Sequence, residues 1–341
     1  MRISIVINAK AGSVNADLIR SKVDQALFRC ERNYKVPNSI AELEEFIHSE
    51  IALKSDAIII CGGDGTVNVV LQILMQIGIT GINLPRICLV VSGTANDLAF
   101  ELGIDRKIQS AVRSLLADEI RKVDVIQISA NGITKYMITC GGLGVPSETA
   151  ELANRVRFTL RNIANATATH NQNKIKSWIA NSGSRALNKM GPSIYSLMLF
   201  FAYFQWKNGS ERKFLDWNLE IIPKNSPQFK TQSGFVFINN QPSLGAQFFP
   251  APYTTNDDGL VNLLIAPVSG WYSLIETMLK IQNGTLPWDK PDCSLETPEV
   301  IIRNSKMKSN LTFFGDGEIL FSNVAEINIK CLPRALTFYT S

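Results

Sequence analysis

Along the first 125 residues, short β-branched runs alternate with segments of helical spacing. Ile3–Ile7, Ala57–Cys61, Ile87–Val91 and Val123–Ile128 read as strands. Between them, Ala41–Ile47 places its apolar residues on one helical face, and Val67–Ile77 is an apolar helix directly after a glycine turn. Such alternation predicts βαβ units and a mostly parallel sheet covered by helices. From about Tyr136 the pattern changes. After a long helical and loop stretch come seven short runs: Phe235–Ile238, Leu260–Ile265, Val300–Arg303, Leu311–Phe314, Ile319–Phe321, Ile327–Lys330 and Leu336–Tyr339. Gly, Pro, Asn and Asp turns separate them, which predicts a second, mainly antiparallel β unit. The expected organisation is an α/β unit over 1–128 and a β-rich unit over 129–330 with a basic helical insertion at about 151–215. A strand at about 330–341 has the option of returning to the first unit.

Composition narrows the function classes. With 341 residues, 45% of them hydrophobic, the chain can bury one large core or two medium ones, which excludes disordered and low-complexity classes. Thirty-four basic residues against 30 acidic ones are too near balance for a nucleic-acid binder. Between Glu151 and Leu215, however, ten basic residues face two acidic ones, interleaved with Trp178, Phe200, Phe201, Phe204 and Trp206. That block could lie on an anionic membrane surface. A solvated helical face over core aromatics is the plainer alternative.

The longest aromatic-aliphatic run, Ile194–Trp206, falls well short of the roughly 20 apolar residues of a bilayer span, so peripheral contact is the expected mode. Six scattered cysteines without C-x-x-C spacing point to reduced, mostly buried thiols and a cytoplasmic location. Met1–Asn8 reads as a strand, not a leader. His48 and His170 have no close partners in sequence, which disfavours a histidine-centred mechanism.

The sharpest local signal is Cys61-Gly62-Gly63-Asp64-Gly65-Thr66-Val67-Asn68, between a buried strand and an apolar helix. Glycines let the backbone turn tightly and bring amide N–H groups close to an anion, and the helix N-terminus adds partial positive charge. No Gly-Lys-Ser/Thr follows, so the turn is not a Walker A loop, and its spacing is not that of a dinucleotide fingerprint. Asp64 could orient Mg²⁺ or its waters, and Thr66 could donate to a phosphate. A glycine turn with Asp64 as a helix cap is the alternative. A second element, Ser92-Gly93-Thr94-Ala95-Asn96-Asp97-Leu98, also follows a strand and opens a helix. Two such turns at the ends of neighbouring parallel strands converge on one crevice. The alternative is Asn96 or Asp97 as an ordinary cap. A weaker third turn is Asn8-Ala9-Lys10-Ala11-Gly12-Ser13.

Gly62-Gly63-Asp64-Gly65-Thr66 followed by Ser92-Gly93-Thr94-Ala95-Asn96-Asp97-Leu98-Ala99 resembles the diacylglycerol kinase catalytic-domain family of lipid kinases. The resemblance continues through Asn239-Asn240, Asp257-Asp258-Gly259-Leu260 and Gly315-Asp316-Gly317-Glu318, in order along nearly the whole chain. It implies an N-terminal α/β domain like those of phosphofructokinase and NAD kinase, a β-sandwich-like second domain, and an active site between them. By the same resemblance, Asn8, Gly62 to Asn68, Thr94, Asn96 and Asp97 bind ATP. Glu318 is the general base on a lipid hydroxyl, with Asp64 and Asp316 in its catalytic set. Thr255, Asp258 and Leu260 match a Mg²⁺ site, with Thr255 and Leu260 giving backbone carbonyls.

From the residues alone, Asp316-Gly317 is first a hairpin turn, and Asp257-Asp258-Gly259 a surface turn. The chain departs from the family in three places: Ala9 replaces a proline, no threonine stands near Tyr34–Pro37, and Pro146 replaces a common aspartate, with Glu148 close by. The function expected is an ATP- and Mg²⁺-dependent lipid kinase at a membrane surface, whose substrate is of diacylglycerol, sphingoid, ceramide or phosphatidylglycerol type. A homodimer is compatible with the sequence, and no nucleic-acid partner is expected. A soluble-substrate kinase resembling NAD kinase and a non-catalytic nucleotide or lipid sensor are the alternatives.

Overall fold

The computed structural model describes residues 1–9, 16–78, 81–91, 96–105, 107–152, 154–155, 159, 218–244, 248–266, 271–286, 294–305 and 311–340. Four N-terminal strands, β1 (Arg2–Ile7), β2 (Glu31–Lys35), β3 (Ala57–Gly62) and β4 (Arg86–Val91), pair in parallel in the order β2-β1-β3-β4. Helices α1 (Ala16–Ala26) and α5 (Ile108–Ala117) cover one face, where Ile19, Val23, Val112 and Leu115 pack on Ile3, Ile5 and Ile59. On the other face, α2 (Ile40–Ala52) and α3 (Asp64–Gly78) set Phe46, Ile47, Val70 and Leu74 against Val6, Ile58 and Ile60. Burial on both faces explains why β3 is an unbroken apolar run and why β1 is interrupted inside the sheet only by Ser4, which bonds Glu50. The short α4 (Asp97–Glu101) follows the second turn.

This sheet does not stop at β4. Phe338 of β16 (Glu326–Tyr339) sits in parallel register with Ile87, and the same long strand pairs antiparallel with β5 (Ile120–Ala130) and β13 (Glu299–Asn304). β6 (Ile133–Met137) pairs with β5, and β8 (Leu219–Pro223) with β9 (Phe229–Thr231) completes ten strands. A second sheet of six strands is antiparallel throughout, in the order β12 (Ser294–Thr297), β11 (Val261–Ile265), β10 (Phe235–Asn239), β7 (Cys140–Gly144), β14 (Leu311–Gly315), β15 (Glu318–Val324). The two sheets face each other through Ile128, Ile221, Val300 and Ile329 on one side and Leu143, Val236, Leu263 and Phe313 on the other. Helix α6 (Trp271–Gln282) covers the outer face of the second sheet, with Leu274 and Ile281 on Phe235, Phe237 and Leu264. An α/β parallel half joined to an antiparallel, sandwich-like half is the fold class expected from the sequence.

Two expected strands, Ile327–Lys330 and Leu336–Tyr339, are one strand, β16, whose register with β5 shifts between Leu332 and Leu336. Pro333 and the left-handed Arg334 (φ 51°) lie inside that shift, and their breaker chemistry made the strand read as two. The basic, aromatic stretch at 151–215 lies outside the described residues apart from 151, 152, 154, 155 and 159. Among the described residues no helix is long and apolar enough to cross a membrane.

Candidate active site

β3 carries Gly62 to the end of the parallel sheet, and the chain turns through Gly63 into α3. The Gly63 carbonyl accepts from the Thr66 and Val67 amides at 2.9 and 3.1 Å, which closes the first helical turn. A Cβ on Gly62 would lie 2.5 Å from Thr66 Oγ1, so only glycine lets Thr66 fold back over the turn. Gly65 has open space on its side, which leaves the helix start approachable. Asn8, just past β1, donates from Nδ2 to Thr66 Oγ1 at 2.8 Å. The ends of β1 and β3 thereby meet at one hydroxyl.

The second turn reaches the first through Asp64. Asn96, buried and left-handed (φ 57°), donates its backbone N–H to Asp64 Oδ2 at 2.8 Å, and Asp97 then opens α4. Its neighbours Ser92, Gly93, Thr94 and Ala95 lie outside the described residues, as do Lys10 to Ser13 of the third turn.

From the second sheet, the β14–β15 hairpin turns at Asp316 and Gly317, both with positive φ (50° and 81°), as a two-residue Asp-Gly turn requires. Glu318, the first residue of β15, is exposed. Asp316 is not turned to solvent. Its carboxylate accepts from Asn68 Nδ2 of α3 at 2.9 Å, Thr139 Oγ1 at 2.7 Å, the Thr139 amide at 2.9 Å and the Ile138 amide at 3.1 Å. Its own amide donates to the Cys140 carbonyl at 2.9 Å. Burial holds the Asp316 carboxyl above its ordinary value, against the hydrogen bonds from Thr139, Asn68 and Ile138, which lower it only in part. Those partners are all donors, the surroundings that an ionised carboxylate needs.

One helical turn beyond Asn68, Gln72 grips the Tyr136 backbone, donating to its carbonyl at 2.7 Å and accepting its N–H at 3.0 Å. Asn68 and Gln72 share a helix face, so α3 is tied to residues 136–139 and the hairpin along one stripe. The Cys140 thiol is pushed well above its ordinary value by burial, and by the charges of Asp97, Asp316 and Asp64 around it. Three expected site carboxylates from three segments thus act electrostatically on the start of β7. The adjoining glycines pack against backbone: a Cβ on Gly141 would lie 2.4 Å from the Phe314 carbonyl, and one on Gly142 2.4 Å from that of Val236.

Thr255, Asp258 and Leu260 form a separate loop. Asp258 accepts from the Leu260 amide at 2.8 Å and from Thr255 Oγ1 at 3.3 Å. Buried Asp124 holds this loop against β16, taking the Gly259 and Arg334 amides at 2.6 Å each. Asn240 bridges the carbonyls of Asp124 and Ile138 from its Nδ2, at 2.9 and 2.8 Å. The donor set is one exposed carboxylate with neighbouring loop carbonyls, all hard oxygen, and it fits a cation that keeps most of its water. No cluster of three His, Cys, Asp or Glu side chains suited to a metal occurs among the described residues. Asp124, Gln72 and Thr139 escape a motif reading. The one sequence signal among them is a carboxylate inside the apolar run of Val123–Ile128.

Residues 2–128 match the model of the diacylglycerol kinase catalytic domain. A diacylglycerol kinase of Mycobacterium tuberculosis is 30% identical over 119 residues, 34% of this chain and 37% of that protein. A probable lipid kinase, YegS-like, of Citrobacter koseri is 30% identical over 111 residues, 32% of this chain and 36% of that protein. The match thus spans little more than a third of these relatives' length. A diacylglycerol kinase structure from Bacillus anthracis str. Sterne covers 100% of this chain, and 97% of its own is covered, at 16% identity and a TM-score of 0.64. That likeness shows a shared fold.

Proposed function

With residues 2–128 as a diacylglycerol kinase catalytic domain, we propose that the chain is an ATP-dependent kinase that phosphorylates a lipid hydroxyl. The observation that carries the reading is the Asn68–Asp316 hydrogen bond, 2.9 Å long, which ties the glycine-turn helix to the hairpin bearing Glu318.

In this reading, the amides from Gly62 to Val67 and the start of α3 cradle the triphosphate, which approaches over the open side of Gly65. Thr66, its oxygen engaged by Asn8, turns its hydroxyl proton to a phosphate oxygen. Thr94, Asn96 and Asp97 flank the nucleotide from the second turn. Mg²⁺ bound with ATP supplies neutralisation of charge on the transferring phosphoryl group, with Asp64 orienting the ion or its waters. Glu318 accepts the proton of the lipid hydroxyl as its oxygen attacks the γ-phosphorus in line and the bond to the β-phosphate oxygen breaks. Asp316 acts through the turn it holds, and Asn68, donating one amide N–H to it, links the nucleotide turn to the hairpin. Thr255, Asp258 and Leu260 hold a second, structural Mg²⁺. The lipid meets the site at a cytoplasmic membrane surface, where the basic and aromatic residues of 151–215 dock.

The test supplies γ-labelled ATP, Mg²⁺ and a total lipid extract in mixed micelles. Label is expected in organic-extractable product, dependent on Mg²⁺. Label confined to water-soluble product, or no transfer, contradicts the reading.

A further inference from the structure

The outer face of the second sheet carries a polar cavity far from the Glu318 hairpin. Across β10, β11 and β12, Asn239, Asn262 and Glu296 stand in direct register and form one polar rung on the face otherwise filled by Phe237 and Leu264. The 251–254 loop closes over that rung. It leaves a cavity of about 310 Å³ lined by Ala251, Tyr253, Thr254, Asn262, Ser294 and Glu296, at the lower end of the size range of small-molecule sites. β12 is one edge of the sheet and β15 the other, so five strand spacings, about 24 Å, separate this cavity from Glu318.

We propose that this cavity binds a neutral polyhydroxylated molecule, of the sugar or cyclic-polyol class. Among the described residues no lining side chain is cationic and one is a carboxylate, which turns away phosphates and other anions. Asn262 is fixed at both ends, accepting from Asn239 Nδ2 at 3.4 Å and donating to Ser294 Oγ at 3.2 Å. The wall therefore offers the Thr254 and Ser294 hydroxyls, which give and take hydrogen bonds, and the Glu296 oxygens, which take them. Ligand hydroxyls answer both needs, whereas an ammonium group only donates. Tyr253, 77% exposed, stands at the rim with its ring free to cover the C–H face of a ring-shaped polyol.

Thr254 points to a ligand independently. It is 3% exposed, and its Oγ1 has no partner among the described residues. In the same rung, Asn239 Oδ1 is also buried without a partner among the described residues. Buried polar groups are almost always satisfied, so these atoms call for water or ligand hydroxyls.

The experiment titrates the full chain with methyl glucoside, myo-inositol, choline and inorganic phosphate, read by saturation-transfer NMR and calorimetry. Saturation is expected to reach the ring protons of methyl glucoside or inositol, and to fall at least fivefold in Tyr253→Ala and Glu296→Gln, both exposed positions whose replacement leaves the fold intact. The proposal is overturned if neither polyol binds, if choline or phosphate binds instead, or if both variants keep the full signal. The readout is binding, so it stands or falls apart from phosphoryl transfer.

Discussion

Asp316 shows how a carboxylate inside a motif can hold a hairpin in place. It sits in the motif two positions before Glu318, yet Asn68, Ile138 and Thr139 take up its oxygens inside the protein. Replacing Asp316 with Asn puts an NH₂ group among donors and leaves buried N–H groups unanswered, a loss of about 2–3 kcal/mol or more. Asp316→Asn is therefore expected to unfold at lower urea and to lose phosphoryl transfer in parallel. An unchanged midpoint with activity abolished would mean that Asp316 takes part in the chemistry itself. The Gly62–Thr66 turn was legible as a local string with its own chemistry, and Asp316-Gly317 as a hairpin turn, whereas Glu318 was singled out only by the family resemblance. The Asn68–Asp316 bond was not, since 248 positions separate its ends and neither residue type announces the other.

At the scale of elements, the strands that escaped the hydrophobic pattern are those whose stability comes from position. β2, Glu31-Arg32-Asn33-Tyr34-Lys35, is a polar edge strand, as edges often are. β7, Cys140-Gly141-Gly142-Leu143-Gly144, is glycine-rich because its neighbours' backbones come too close for side chains. β2 and β1 are held to α2 by Glu50, which is 1% exposed and accepts from Arg2, Ser4 and Asn33. Burial pushes its carboxyl up, but the hydrogen bonds from Arg2, Asn33 and Ser4 and the Arg2 charge outweigh that and hold it below the ordinary value. A folded value below the unfolded one stabilises the protein above the ordinary carboxylate range, near pH 4.3. The stabilisation disappears as pH falls below that range and through the folded value. Glu50→Gln is expected to be less stable than wild type by about 2 kcal/mol at pH 7. Urea titrations at pH 7 and pH 3 should show the gap shrinking, and an equal gap at both would refute the assignment.

In the molecule as a whole, one sheet runs from the parallel half into the antiparallel half through β16, and three ties lock the second sheet to it. Asn68 holds Asp316, Asp124 holds Gly259, and Asn240 holds the Asp124 carbonyl. The alternation of strands and helices made the two halves legible. Their shared sheet was not, because a proline inside β16 disguised one long strand as two short ones. The ties set the glycine turns and the Glu318 hairpin in one frame, and the proposed chemistry depends on that arrangement. Its most direct test compares label transfer from ATP into lipid by the wild type and by Glu318→Gln. Glu318 is exposed, so the variant should keep the wild-type urea midpoint, within about 0.5 kcal/mol, while its transfer rate falls by about 100-fold or more. A variant that transfers phosphate at the wild-type rate would contradict the account.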